Sequence, residues 1–108
     1  MLNTAEEGKN IAVISYITII GAVVAILMNN EKKNTFAAFH IRQALGLSIM
    51  FLALGYSIGY FDSWMATSAF YLFFFILWIY GFLSAIQGQT RPIPLLGNLF
   101  QKLFKNLE

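Results

Sequence analysis

The chain has 108 residues, 58% of them hydrophobic and 11% charged, where an ordinary soluble domain is about 45–50% apolar and about 25% charged. One domain of 12.2 kDa cannot hide that much apolar side chain from water, so composition argues against a soluble globule and for a single all-α integral membrane domain over 1–108. A net charge of +2 is too small for a nucleic-acid binder and suits contact with anionic membrane lipid, while the lack of cysteine removes disulfides, thiolate metal sites and thiol nucleophiles.

From Ile11 to Met28 the chain runs 18 residues without a charge, about 27 Å of helix against a hydrocarbon core about 30 Å thick. A first transmembrane helix is therefore expected over 11–28. Thr4 and Glu7 stand at capping-box spacing, which would start that helix near Ala5. A cleaved signal peptide is the competing reading, and the acidic Glu6 and Glu7 count against it, as does the length of the apolar run. Asn29 to Asn34 form a polar loop, and Asn34 or Thr35 can cap the next helix. That helix opens on the mixed turn Phe36 to Gln43 and continues uncharged as a second span over 44–61. Asp62 and Ser63 mark a tight hairpin, and a third span follows over 63–86.

Gln87 to Pro94 end the third span, since two prolines and a glycine cannot continue a helical ladder cheaply. Beyond them Leu96, Leu99, Phe100, Leu103, Phe104 and Leu107 recur at helical spacing, with Asn98, Gln101, Lys102, Lys105 and Asn106 on the other face. A helix over about 95–107 is too short to span, and it is expected to lie amphipathically in the membrane interface. Packing of its apolar face on a partner protein is the alternative. Three spans and this helix leave Lys9 alone on one side of the membrane, against Lys32, Lys33, Arg42, Arg91, Lys102 and Lys105 on the other. The positive-inside rule then puts the N-terminus and Asp62 outside and the C-terminus in the cytoplasm.

Small residues in each span, Gly21 and Ala25, Gly55 and Gly59, Gly81 and Ala85, can let helix backbones approach, within one chain or across a homo-oligomer. One His and scattered carboxylates assemble no triad, carboxylate pair, metal set or phosphate loop, so neither catalysis nor a cofactor is expected. His40 and Gln43 share a helix face with Phe36 and Leu47, and Arg42 points the other way. Polar side chains at a membrane boundary are costly unless bonded or snorkelling. These three residues either bond the chain's own helices and reach the headgroups, or contact a lipid, a partner protein or a translocating segment.

Lys9-Asn10-Ile11-Ala12, Asn30-Glu31-Lys32-Lys33, Phe39-His40-Ile41-Arg42-Gln43-Ala44-Leu45 and the stretch from Gly88 to Gly97 with its Ile93-Pro94 resemble a family of small bacterial membrane proteins. That family is similar to the twenty-kilodalton component of the chloroplast inner-envelope import translocon, a protein usually described as having four spans. The resemblance implies that His40, Arg42 and Gln43 are characteristic polar residues, and it implies a bacterial inner-membrane location. The expected function is that of a non-enzymatic multi-pass accessory subunit of a larger membrane complex, linked to protein translocation or insertion, with other membrane proteins as partners. A homo-oligomeric transporter of small solutes or ions and a lipid-sensing or membrane-shaping protein are the alternatives.

Overall fold

A computed structural model describes residues 4–105, which form helices and connecting turns with no strand among them. In chain order they are α1 (Thr4–Ser15), α2 (Ile19–Lys32), α3 (Thr35–Ile58, prolonged by a 3-10 turn, Gly59–Phe61), α4 (Trp64–Ile86) and α5 (Gly97–Leu103). The Thr4 hydroxyl of the expected capping box and Asn106 and Leu107 of the expected last helix lie outside the described side chains. Two stretches, Thr35–Phe61 and Trp64–Ile86, are helices long and apolar enough to cross a membrane.

Local chemistry sets the ends of both long helices. The Asn34 side chain accepts from the Ala37 N–H at 2.9 Å and opens α3, and the Ser63 hydroxyl accepts from the Ala66 N–H at 3.2 Å and opens α4. Between them Asp62 takes a left-handed backbone, φ 48°, which reverses the chain. α4 closes on Gly88 at φ 73°, where the Gly88 and Gln89 N–H groups bond back to the Ala85 and Ser84 carbonyls in a Schellman arrangement.

The expected first span is corrected by a break at its centre. α1 stops at Ser15 and α2 starts at Ile19, so 11–28 is not one helix. Thr18 is fully extended and its hydroxyl accepts from the Gly21 N–H at 3.2 Å, capping α2. Tyr16 and Ile17 close the end of α1 with tight bonds to Val13 and Ile14, and the Trp78 indole N–H donates to the Tyr16 carbonyl at 2.7 Å. α2 then folds back along α1: a side chain at Gly21 would collide with the Ile14 carbonyl, and one at Gly8 would collide with Asn34, just beyond the far end of α2. Helices of 12 and 14 residues are about 18 and 21 Å long.

This short hairpin lies against α3 and α4 on small side chains. Ile11, Ala25, Ala37 and Ile41 form one cluster; Ala12, Tyr16, Phe36, Ala44 and Ala85 form a second. A third cluster, Leu47, Phe74, Leu77, Ile93 and Phe100, ties α3 and α4 to the last segment of the chain. The hairpin therefore covers only the half of the α3–α4 pair nearest the start of α3. In the other half Leu52, Leu54, Tyr56, Tyr60, Trp64 and Leu72 are exposed.

The same geometry sets where the N-terminal segment begins. Gly8 sits at Asn34 and Ala5 at Gly88, so α1 begins at the end of the molecule that holds the Lys32–Lys33 turn and the exit of α4. Lys9 joins the other six cations there, and Asp62 stands at the opposite end.

Candidate functional site

Where α1, α3 and the segment after α4 meet, the polar residues of the Phe36–Gln43 turn converge. His40 and Gln43 are both fully buried. The His40 Nε2 lies 2.7 Å from the Gln89 carbonyl and its Nδ1 lies 2.7 Å from the Tyr16 hydroxyl. A carbonyl can only accept, so Nε2 is assigned the proton, and in the neutral tautomer this gives, Nδ1 accepts from the Tyr16 O–H. The Gln43 amide N–H donates to the same Tyr16 oxygen at 2.9 Å, which completes a one-way chain from Gln43 through Tyr16 and His40 to Gln89. Phe36, Phe39 and Tyr16 meet the imidazole edge-on and hold its plane.

The other end of Gln43 fixes the strap after α4. Its Oε1 accepts from the Ile93 N–H at 2.8 Å, and its amide also lies 3.4 Å from the Arg91 carbonyl. Ser84 works from the α4 side, donating to the Gln89 carbonyl at 2.9 Å and accepting from the Arg91 N–H at 3.1 Å. Irregular backbone is thus satisfied by side chains at the points where helical bonding stops. At the adjacent corner, Asn29 bonds both the N–H and the carbonyl of Asn34 and locks the turn between α2 and α3.

Arg42 points away from this network. Its Nε donates to the Phe104 carbonyl at 3.1 Å, one terminal nitrogen to the Lys105 carbonyl at 3.2 Å, and the other approaches Gln101 Oε1 at 3.4 Å. A guanidinium at the C-terminal end of α5 meets both the free carbonyls and the negative end of the helix dipole. Gln101 returns the contact by donating to the Phe39 carbonyl at 2.9 Å. We expect Arg42→Ala to raise amide exchange through 97–105 severalfold in detergent micelles. Arg42→Lys should fall between the two, because an ammonium cannot reproduce the fork.

α5 is shorter than the expected 95–107 helix and is divided in its exposure. Phe100 is buried in the space left by Gly46, where any side chain would overlap its ring, and Leu96 and Phe104 pack partly on the same cluster. Leu99, Leu103, Lys102 and Lys105 remain exposed. The apolar face is thus split between the chain's own helices and the surroundings.

The small residues sort in the same way. Gly21, Ala25, Gly81 and Ala85 are buried at helix contacts. Among the described residues, Gly55 has only Phe70 nearby, with a distance of 3.7 Å to an added Cβ, and Gly59 would meet nothing within 4 Å. Close packing within the chain, expected at Gly55 and Gly59, is found instead at Gly8 and Gly46. Tyr16, Ser84, Gln89 and Asn29 were not singled out by spacing; Tyr16, a hydroxyl in the middle of an apolar run, was the available signal. No family model, no curated protein and no solved structure matches this chain.

Proposed function

We propose that α3 and α4 cross the membrane and that α1 and α2 form a re-entrant hairpin reaching about half its depth. Helices of about 18 and 21 Å fall short of a hydrocarbon core about 30 Å thick, whereas α3 and α4 do not. All seven Lys and Arg stand at the end where the hairpin starts and finishes, against Asp62 at the other. That asymmetry favours a cytoplasmic location for α1's start, the Lys32 turn and α5. Single cysteines in this cysteine-free chain test it. An impermeant thiol reagent should label position 62, and neither 10 nor 31, in intact cells; labelling of 10 and 31 from opposite sides would remove the hairpin.

Within that frame the chain serves as a non-enzymatic accessory subunit of a larger assembly in a bacterial inner membrane, linked to protein translocation or insertion. One observation carries the subunit role: His40, Gln43 and Arg42 are turned inward to hold the hairpin, the strap and α5, while large apolar side chains such as Ile20, Leu27, Leu72 and Ile76 cover the outside. An exterior of this kind suits neighbouring helices and lipid. The resemblance of the His40–Leu45 turn to its bacterial family supports the link to translocation. Purification in a mild detergent should bring down a membrane partner in fixed ratio. Recovery of the chain alone under conditions that preserve known complexes of the same membrane would defeat the reading.

A further inference from the structure

Past the tip of the hairpin lies a cleft of about 460 Å³, bounded by Tyr16–Ile19 of the tip and by the middle of α3 and α4. We propose that it seats one acyl chain of a membrane phospholipid, an inference that rests on the re-entrant reading above.

Chemistry and size choose the occupant. The floor and walls are apolar, with Leu47, Phe75 and Trp78 among them. Of the polar groups in its lining, the Tyr16 hydroxyl bonds His40 and Gln43, the Trp78 N–H bonds the Tyr16 carbonyl and Thr18 caps α2, which leaves the hydroxyls of Ser48 and Tyr71 and no charge. A charged or strongly polar ligand finds no counter-charge there and loses the hydration it brings. The lining residues Ile17, Leu52 and Phe75 are exposed, so the cleft opens to the surroundings of the long helices.

Position adds to this. Ser48, on the cleft wall, is thirteen residues into α3, about 20 Å along the helix, a depth at which the bilayer offers hydrocarbon. A partner helix is too long. At a diameter of about 10–12 Å and a pitch of 5.4 Å, one helical turn fills roughly 400–600 Å³, so the cleft would hold a single turn. A flexible hydrocarbon tail matches both the volume and the opening.

The test uses Trp78 as reporter. Of the two tryptophans, Trp64 is 84% exposed at the far end of the molecule, and Trp64→Phe leaves Trp78 alone. The purified protein in nonionic detergent is titrated with phosphatidylcholine brominated at mid-chain. Quenching of Trp78 should saturate at one lipid per chain and be reversed by unbrominated phosphatidylcholine. Ser48→Phe, which fills the cleft, should raise the half-saturation point at least fivefold while keeping the wild-type circular dichroism; Leu52→Phe, at the rim, is the second variant should Ser48→Phe misfold. Quenching that rises linearly without saturation overturns the proposal, as does a saturable phase that survives in a folded cleft-filling variant. Competition by free oleate but not by phosphatidylcholine also overturns it. Carbonate extraction of membranes separates the two readings. A chain kept in the pellet without saturable quenching defeats the acyl seat alone, and a chain released to the supernatant defeats the membrane reading as well.

Discussion

Gln43→Leu is expected to cost about 2–6 kcal/mol of stability in detergent, because it takes a partner from two buried groups at about 1–3 kcal/mol each. The Ile93 N–H loses the Gln43 oxygen, and the Tyr16 oxygen loses the Gln43 donor. Leucine is close to glutamine in volume, so little of the loss comes from a cavity. The strap 89–93 should loosen first, visible as faster amide exchange at Ile93 before any loss of helix. His40 offers a graded comparison: His40→Ala takes the acceptor from the Tyr16 O–H and one of two donors from the Gln89 carbonyl, whereas His40→Gln can still donate and accept and should lose less. Equal losses from the two His40 variants in an unfolding titration would show that the imidazole's shape, rather than its bonds, holds the site.

Gly81→Leu should be comparably severe for a steric reason. An added Cβ would stand 2.9 Å from Tyr16 Cε1, 3.0 Å from its hydroxyl and 3.2 Å from the Gln43 amide nitrogen. The rest of a leucine would then have to push the hairpin tip away from α4, where overpacking alone costs about 1–3 kcal/mol. The bonds of Tyr16 are lost in addition. Gly59→Leu provides the contrast, since none of the described residues lies within 4 Å of the added Cβ, and a change within about 0.5 kcal/mol is expected. Thermal midpoints of the two variants in one detergent decide the matter. If Gly59→Leu loses as much as Gly81→Leu, Gly59 is packed by something outside the chain.

The long helices were legible because their signals are local. An uncharged run, an asparagine or serine cap and a Gly-Pro exit all fall within a few residues of the boundaries they set. The break between α1 and α2 was not legible, since neither glycine nor proline marks it and apolar residues continue on both sides. Its cause is the joint action of Thr18 as a cap and Trp78 as a donor to Tyr16, and Trp78 is 62 residues away. Much the same holds for the site. Helical spacing placed His40 and Gln43 on one face, but their partners are the Tyr16 hydroxyl and backbone groups of 89–93, and the latter have no side-chain signature. Arg42 was legible as the residue pointing elsewhere, and its destination at the end of α5 depends on how the strap lays that helix across Gly46.

A hairpin that ends halfway makes the molecule unequal in cross-section. Near the start of α3 four helices lie side by side with α5 against them, and near Asp62 only two remain. At a diameter of about 10 Å, each additional helix occupies roughly 80 Å² of membrane plane. On the re-entrant reading proposed above, a bilayer holding this protein gives up about 160 Å² more lipid area in one leaflet than in the other. Such a body is a wedge: crowded together, many copies would bend a sheet toward the narrow side, and a single copy would sit with least strain where the monolayers already differ in area.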